Sequence, residues 1–368
     1  MVSTSPIAYL GPAIDHRDSL RRSMRSSGIE LVDIPDTLSW NRRPNALHRS
    51  KTRQIATRTA RGLQQFAGTR DSEYLGHALE QIDNNGIHTI LAYWGIRPLP
   101  DIKALKKLRP SVRFILNVLC HPLGLNTRKV TLQNLMMRTS LSSLDGLIFP
   151  GTAMQEYFHK TFPRSRTLPS LLQPPCWDSH YFPGSPAPPL KDRPNIVFLG
   201  RMDWKAGQPS DNVVEFLGAL MNEGIDVNFC RTPESEINHI HAHPFDPIPF
   251  SEMASFGAQF DASLIVYNLG VVKRSERFDI TVPDRLISSV CAGVPIALPR
   301  QGFFGCKEYL SDLGAVIEYD SPGDLACQLR DRNAIARLRL VAQKNSLKYQ
   351  AERHVPALLN FLRSFQKA

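Results

Sequence analysis

The sequence lacks long apolar runs. None of its windows approaches the roughly 20 uninterrupted apolar residues that a membrane-spanning helix needs, because the longest apolar stretches have the length of a single strand. The N-terminal residues Met1–Ser19 contain one short apolar run with no basic stretch ahead of it, which argues against a secretory signal. These absences predict a cytoplasmic protein that is either soluble or peripheral on the inner face of a membrane.

Cysteines are few, and none of them has the spacing of a metal or redox motif. The six cysteines are scattered without a Cys-x-x-Cys pair, which predicts reduced and mostly buried thiols. The alternating histidines His239, His241 and His243 remain as candidate metal ligands, but Pro244 and the polar neighbours favour a loop. We therefore expect no metal ion.

Acidic residues are absent from one segment. Residues 37–70 contain no Asp or Glu and contribute strongly to the net charge of +10. Anionic lipid headgroups attract such segments by about 1 kcal/mol per basic residue, so Arg42–Arg61 is a candidate for contact with an anionic membrane surface. Nucleic acid is not expected as a partner, because only Trp40 and Phe66 are available to stack on bases. A solvated basic face without a partner is the alternative.

Strand-like apolar runs alternate with amphipathic stretches of helical length along all 368 residues. This alternation predicts an α/β fold with mostly parallel sheets, and the length favours two domains. A proline-rich stretch predicts the linker between them, because proline fits neither a helix interior nor a central strand. The predicted organisation is a first domain over residues 1–175, a linker over 176–194, a second domain over 195–345 and a C-terminal helix over 346–368, long enough to pack back on the first domain.

The first candidate for chemistry is the segment Ile196–Gly207. A strand ends at Gly200, where the missing side chain would let the backbone approach a ligand, and Arg201 and Lys205 follow it. Their spacing would place both cations over one anion, the arginine as a planar fork and the lysine as a point charge. The segment predicts a diphosphate site, with a structural turn as the alternative.

The second candidate is the segment Thr281–Gly302. Pro283 begins a short helix, Gly293 is placed to end it, and a fully buried strand follows. The first turn of this helix would present backbone N–H groups and the positive end of the helix dipole to a phosphate.

In order and spacing, the second half resembles the donor-binding domain of the GT-B glycosyltransferases, especially the retaining, family 4-like enzymes that use nucleotide-diphosphate sugars. That pattern is a strand, Gly-Arg, a nearby Lys-Gly, and later a Pro-x-Lys/Arg-Leu helix before Ala-Gly-x-Pro. The matching residues are Gly200, Arg201, Lys205, Gly207, Pro283, Arg285, Leu286, Ala292, Gly293 and Pro295. The first half resembles the acceptor domain, and the similarity covers most of residues 110–320.

The resemblance implies a GT-B architecture, with two Rossmann-like domains facing each other across a cleft. It implies that Arg201 and Lys205 are catalytic, because they would bind the donor diphosphate and stabilise the charge on the leaving group. His121, at the carboxyl end of a first-domain strand, matches a catalytic histidine that faces the donor sugar, with a structural surface or core histidine as the alternative. The other implied donor-binding residues are Gly200, Pro283, Asp284, Arg285, Leu286 and Ser288.

Two positions depart from the family pattern. Family members often hold the nucleotide ribose with a glutamate where this chain has Ser288, so Asp279 or Asp284 would have to replace it. The turn from Lys205 to Gly207 is also one residue longer than usual. The base and sugar of the donor, the stereochemistry and the acceptor therefore stay open.

Further candidate residues border the expected cleft. Lys273, Arg274 and Arg277 precede Pro283 and are expected either to bind a phosphate or an anionic acceptor, or to form a solvated loop. Asp15 follows the first strand and is a candidate catalytic base on the acceptor side, with a structural turn residue as the alternative.

The sequence thus predicts a hexosyltransferase-like enzyme that needs no cofactor. It would move a sugar from a nucleotide-diphosphate sugar, a UDP or GDP sugar among the options, to a hydroxyl of a glycan, lipid-linked or small-molecule acceptor. Such an enzyme serves polysaccharide or glycoconjugate biosynthesis. A nucleotide-sugar epimerase of the same fold and a non-catalytic nucleotide-sugar-binding protein are the alternatives.

Overall fold

The chain divides into two compact units. Unit 1 comprises Met1–Pro174 together with His354–Ala368, and unit 2 comprises Pro175–Arg353. The computed structural model describes residues 6–11, 15–40, 71–93, 97–119, 127–184, 188–200, 202, 209–232, 237–272 and 275–366.

Unit 1 is built on a parallel sheet covered by helices. Its strands are β1 (Ile7–Leu10), β2 (Leu31–Ile34), β3 (Thr89–Tyr93), β4 (Arg113–Asn117), β5 (Gly146–Phe149) and β6 (Ser170–Leu172). In the described residues they form one sheet in the order β2-β1-β3-β4-β5-β6. The connecting helices are α1 (Asp15–Ser26), α2 (Thr37–Trp40), α3 (Ser72–Asn84), α4 (Leu99–Leu108), α5 (Thr127–Ser140) and α6 (Thr152–Thr161).

Unit 2 repeats this plan. Its strands are β7 (Asn195–Phe198), β8 (Asp226–Cys230), β9 (Ala242–Phe245), β10 (Ala262–Leu264), β11 (Ile296–Pro299) and β12 (Val316–Tyr319). They pair in parallel in the order β12-β11-β10-β7-β8-β9 within the described part of the chain. The helices are α7 (Val214–Asn222), α8 (Met253–Gly257), α9 (Glu276–Ile280), α10 (Asp284–Cys291), α11 (Phe304–Leu310), α12 (Pro322–Arg330) and α13 (Arg332–Ser346). The last helix, α14 (Ala351–Ser364), begins in unit 2 and belongs to unit 1 from His354 onward.

Each sheet is covered by helices because its central strands, β1, β3, β7 and β10, are buried on both faces. In unit 2, α7 and α12 pack on one face around Phe198 and Leu264, while α10 packs on the other face around Ile265. In unit 1, the residues of α14 from His354 onward pack on the sheet, where Leu358 and Leu362 are almost fully buried. Removing this much apolar surface from water is the main stabilising contribution in such a fold.

In each sheet, successive strands are added first on one side of the starting strand and then on its other side. In unit 1 this change of side lies between β1 and β3, and in unit 2 it lies between β7 and β10. Ligands of open α/β sheets bind outside the carboxyl ends of the strands at such a switch point. The carboxyl ends of β7 and β10 are therefore the first place to look for a site in unit 2.

The predicted α/β class and the two Rossmann-like sheets are confirmed. One local prediction was partly wrong. The histidine segment was expected as a loop, which holds for His239 and His241, but His243 lies in the edge strand β9, because Ala242–Phe245 pairs in parallel with β8 despite Pro244. At the C-terminus, α13 and α14 are separated by residues 347–350, and Pro356 lies inside α14. Within the described residues, no helix is both long and apolar enough to cross a membrane.

Candidate functional site

The switch point of unit 2 is occupied by an arginine. Arg285 lies in the first turn of α10, and its guanidinium reaches the carboxyl ends of β7 and β10. The carbon Cζ lies 4.5 Å from the centre of the Tyr267 ring and 5.1 Å from the centre of the Phe198 ring. Both contacts are within the range of cation–π attraction.

Asp211 pairs with one edge of the Arg285 guanidinium. Its Oδ1 lies 3.3 Å from Nη2 of Arg285, and both side chains are largely buried, with 18% and 14% of their surfaces exposed. Among the described residues, Nη1 of Arg285 has no hydrogen-bond partner. A buried N–H donor without an acceptor is costly, and an anion is one group that supplies the missing acceptor.

Gly200 has a different partner from the one that the sequence suggested. A Cβ atom at this position would overlap Nη1 of Arg285 and Cζ of Phe198. The space over Gly200 is therefore filled by the side chains of Arg285 and Phe198. The sequence had suggested that a ligand would lie there. Glycine is needed here so that the Arg285 side chain can lie across the end of β7.

A pocket of about 330 Å³ opens beside this cation. Tyr267 belongs to both features, because it lines the pocket and also carries the guanidinium of Arg285. Phe216 and Leu269 contribute apolar wall, and Asn212, Glu215 and Asn268 contribute polar groups. Apolar walls with a few polar groups are typical of sites for small organic ligands.

The remaining predicted residues around α10 have varied surroundings. Leu286 is fully buried in the core of unit 2, and Ser288 is 3% exposed. Pro283 is the N-cap of α10, and its ring provides no capping hydrogen bond; Asp284 is the first residue of the helix. Arg277 is half-buried in α9.

Asp279, considered as a replacement for the ribose-binding glutamate, is engaged in a turn. Its Oδ1 accepts a hydrogen bond of 2.9 Å from the backbone N–H of Phe303, a residue with the left-handed φ of 56°. It also lies next to Gly302, where a Cβ would come within 2.7 Å of the same oxygen. This carboxylate therefore stabilises the turn that follows β11.

Several predicted site residues lie outside the described part of the chain. They are His121, Arg201, Lys205, Lys273 and Arg274. Asp15 begins α1, but its side chain is likewise outside the described set. The basic stretch Arg42–Arg61 lies wholly outside it.

Unit 1 holds a buried carboxylate cluster that sequence reasoning missed. Asp101 in α4 accepts hydrogen bonds from the backbone N–H and the Oγ1 of Thr37, at 3.0 and 2.5 Å. Asp36, which follows β2, is paired with Arg97 at 2.5 Å. Burial, opposed by the Thr37 hydrogen bonds and reinforced by the charge of Asp36, raises the pKa of Asp101 to about 7.

The histidine segment of unit 2 is organised around one carboxylate. Asp226, the first residue of β8, lies 2.8 Å from Nδ1 of His241 and 3.3 Å from Nε2 of His243. In the part of the chain that the structure describes, no cluster of three or more His, Cys, Asp or Glu side chains has a geometry suited to a metal ion.

The sequence reasoning also missed Asp211 and Tyr267. Tyr267 lies three residues beyond β10, next to the switch point. The rule that ligands bind at the carboxyl ends of strands could therefore have identified it from the sequence. Asp211 carries no comparable signal, because it lies in a short 3₁₀ turn, Pro209–Asp211, before α7.

Comparison with solved structures places both units in one known architecture. The chain is similar to sucrose-phosphate synthase from Thermosynechococcus elongatus, with a TM-score of 0.66, 12% identity, and coverage of 99% of this chain and 100% of the other. It is also similar to the N-terminal domain of Candida albicans trehalose-6-phosphate phosphatase, with a TM-score of 0.62, 10% identity, and coverage of 98% and 97%. A third similar structure is Anabaena HepE in complex with UDP, with a TM-score of 0.58, 10% identity, and coverage of 98% and 100%.

These similarities show that the chain has the GT-B fold of two Rossmann-like domains. No model of a protein family matches the sequence. No curated protein matches it either.

Proposed function

We propose that this protein is a glycosyltransferase that moves a sugar from a nucleotide-diphosphate sugar to a hydroxyl group. One observation carries the proposal: a guanidinium is fixed at the switch point between β7 and β10, where the fold binds its ligands. The similar structure of HepE was solved with UDP, which fits a nucleoside diphosphate as part of the donor.

The donor diphosphate would lie against the cations of unit 2. Arg285 would donate to a phosphate oxygen from Nη1, which has no partner among the residues that the structure describes, and Arg201 and Lys205 would add two further cations. When the sugar leaves, negative charge grows on the diphosphate, and fixed cations stabilise that charge in the transition state more than in the ground state. We propose that the nucleoside end of the donor occupies the pocket lined by Tyr267 and Asn268.

Unit 1 would supply the acceptor side. We propose that His121 faces the donor sugar, a role that rests on the resemblance to family 4-like, retaining enzymes. We propose that Asp15 acts as a base on the acceptor hydroxyl, a role that rests on its position after the first strand. Lys273, Arg274 and Arg277 would bind the second phosphate or an anionic acceptor.

The acceptor class follows from the basic stretch Arg42–Arg61, which we propose binds anionic lipid at the cytoplasmic face of a membrane. A lipid-linked or polymeric glycan is then the acceptor, and the reaction belongs to glycoconjugate biosynthesis. This assignment depends on membrane contact, which a vesicle experiment tests separately.

One observation favours a second candidate function, a nucleotide-sugar-binding protein without catalysis. Ser288 stands where family members often carry the ribose-binding glutamate, and its side chain is buried in α10. An epimerase of the same fold is less well supported, because it needs acidic groups close to the sugar.

A ligand-shift melting screen tests the proposal. A ligand that binds only the native state at about 100 times its Kd stabilises that state by roughly 2.7 kcal/mol. We expect one of UDP, GDP, ADP and CDP to raise the melting temperature, and the matching nucleotide sugar to be hydrolysed or transferred. Absence of any shift contradicts donor binding, whereas a shift without turnover across several nucleotide sugars and acceptors favours the non-catalytic binder.

A further inference from the structure

We propose that Tyr267 and Asp211 are positioning residues that fix the Arg285 guanidinium for the donor diphosphate. The inference rests on the proposed function, because it concerns how unit 2 holds the same ligand. Tyr267 and Asp211 lie outside the family pattern. Each would strengthen the binding of the diphosphate by orienting Arg285.

An arginine side chain is long and loses much rotational freedom when it is held in one place. Here the structure removes that freedom before any ligand arrives, because the ring of Tyr267 supports the guanidinium at 4.5 Å and Asp211 holds its edge at 3.3 Å. A cation that is already oriented binds an anion more tightly, since less entropy is lost on binding.

The supporting ring is itself held in place. The Tyr267 ring centre lies 4.5 Å from that of Phe278, and it stacks on the ring of Phe303 at 6.1 Å with an interplanar angle of 19°. Phe303 in turn is fixed by its hydrogen bond to Asp279. A chain of packed groups thus runs from the turn after β11 to the guanidinium, and every member lies in unit 2.

Asp211 orients Arg285 at some electrostatic cost, because its negative charge also repels a phosphate. Asp211 accepts from Nη2 and does not occupy Nη1, which is buried and has no partner among the described residues. One donor of the guanidinium is therefore left for an anion while its other edge is engaged.

The test measures the binding of inorganic pyrophosphate, and of the tightest-binding compound among UDP, GDP, ADP and CDP, by isothermal titration. Pyrophosphate carries the diphosphate charge without a base, so the pocket does not contribute to its affinity. We expect Tyr267→Leu to weaken both ligands about tenfold through loss of the cation–π support, and Tyr267→Phe, which keeps the ring face, to stay within about twofold of the wild type. Phe256→Leu is the matched control, because Phe256 packs with Phe245 and Phe260 elsewhere in unit 2.

A second pair of variants tests Asp211. It keeps the inference testable if Tyr267→Leu does not fold. Asp211→Asn and Asp211→Ala both remove the charge, but only the alanine removes the accepting oxygen. We expect the alanine variant to bind pyrophosphate about fivefold more weakly than the asparagine variant, the size of effect expected for one lost hydrogen bond.

Four results would overturn the inference. Equal pyrophosphate affinity for folded Tyr267→Leu and the wild type would remove the role of the ring, and equal losses in the Leu and Phe variants would assign the effect to the hydroxyl. Equal affinities for Asp211→Asn and Asp211→Ala would remove the role of the accepting oxygen at residue 211. If the wild type binds neither pyrophosphate nor any of the four nucleoside diphosphates, the proposed function fails together with the inference.

Discussion

Gly200 and Arg285 are mutually dependent, because the guanidinium of Arg285 fills the space that a side chain at residue 200 would occupy. The two residues are 85 positions apart in the sequence. Arg285 can take its position only because residue 200 has no side chain, and residue 200 must be glycine only because Arg285 and Phe198 lie there. The site in unit 2 therefore consists of an arginine laid across the end of β7 and held there by Tyr267 and Asp211.

Gly200→Ala should displace Arg285 and Phe198, because the added methyl group overlaps both side chains. We expect a loss of about 1–3 kcal/mol in the free energy of unfolding, the usual cost of overpacking, together with weaker binding of nucleoside diphosphates. Urea unfolding and titration measure the two effects. Gly218→Ala is the control, since a Cβ in that α7 position meets nothing within 4 Å and should stabilise by roughly 0.5–1 kcal/mol. Equal effects of the two substitutions would contradict the clash.

Asp101 should make the stability of unit 1 depend on pH. Its pKa is raised from 3.8 to about 7 in the folded state, chiefly by burial, so the folded protein favours the protonated carboxyl. Stability from this group is therefore fully present below about pH 4 and is lost as the pH rises to about 7, with a total of a few kcal/mol as the upper limit. Asp101→Asn should remove that dependence, because the amide stays neutral.

Urea unfolding of the wild type and Asp101→Asn across this pH range checks the prediction. Other carboxylates titrate in both proteins, so the difference between the two curves isolates residue 101. A difference that does not change with pH would contradict the buried, protonated carboxyl.

The C-terminal helix should be a structural part of unit 1. Leu362 in α14 is fully buried against the sheet, whereas Leu340 in α13 is 68% exposed. We expect Leu362→Ala to lower the free energy of unfolding by about 2–5 kcal/mol and Leu340→Ala to change it by less than about 0.5 kcal/mol. Chemical denaturation of both variants measures the contrast. Similar small losses would show that α14 contributes little to unit 1.

The membrane proposal predicts binding to anionic vesicles. Replacing the arginines of the stretch Arg42–Arg61 by serine should abolish flotation with vesicles that contain phosphatidylserine, because each basic residue near the surface contributes about 1 kcal/mol. Vesicles of neutral lipid are the control. Flotation that is absent in the wild type, or unaltered in the variant, would count against the proposal.

The fold was predictable from the sequence because its signals are local. Apolar runs such as Asn195–Phe198 and Ile296–Pro299 show the strands directly, and the proline-rich stretch separates the two series. The strand β9 was missed, because His243 and Pro244 give it a polar character that suits an edge strand paired on one side.

The candidate site was only partly predictable. Arg285 was found through its place in a motif, but its contacts with Tyr267 and Asp211 join segments that are far apart in the chain. No local pattern shows which distant ring will lie under an arginine. The reason for Gly200 was likewise hidden, because its crowding comes from Arg285 and from the ring of Phe198 folding back on it.

The central claim is that Arg285 at the switch point of unit 2 binds the donor's diphosphate. Isothermal titration of UDP, GDP, ADP and CDP against the wild type, Arg285→Lys and Arg285→Met tests it most directly. The account predicts that at least one nucleoside diphosphate binds the wild type, that Arg285→Met weakens it by about tenfold or more, and that Arg285→Lys restores only part of the loss, because lysine keeps the charge without the planar fork. Equal affinity of that nucleoside diphosphate for the wild type and a folded Arg285→Met variant would contradict the claim.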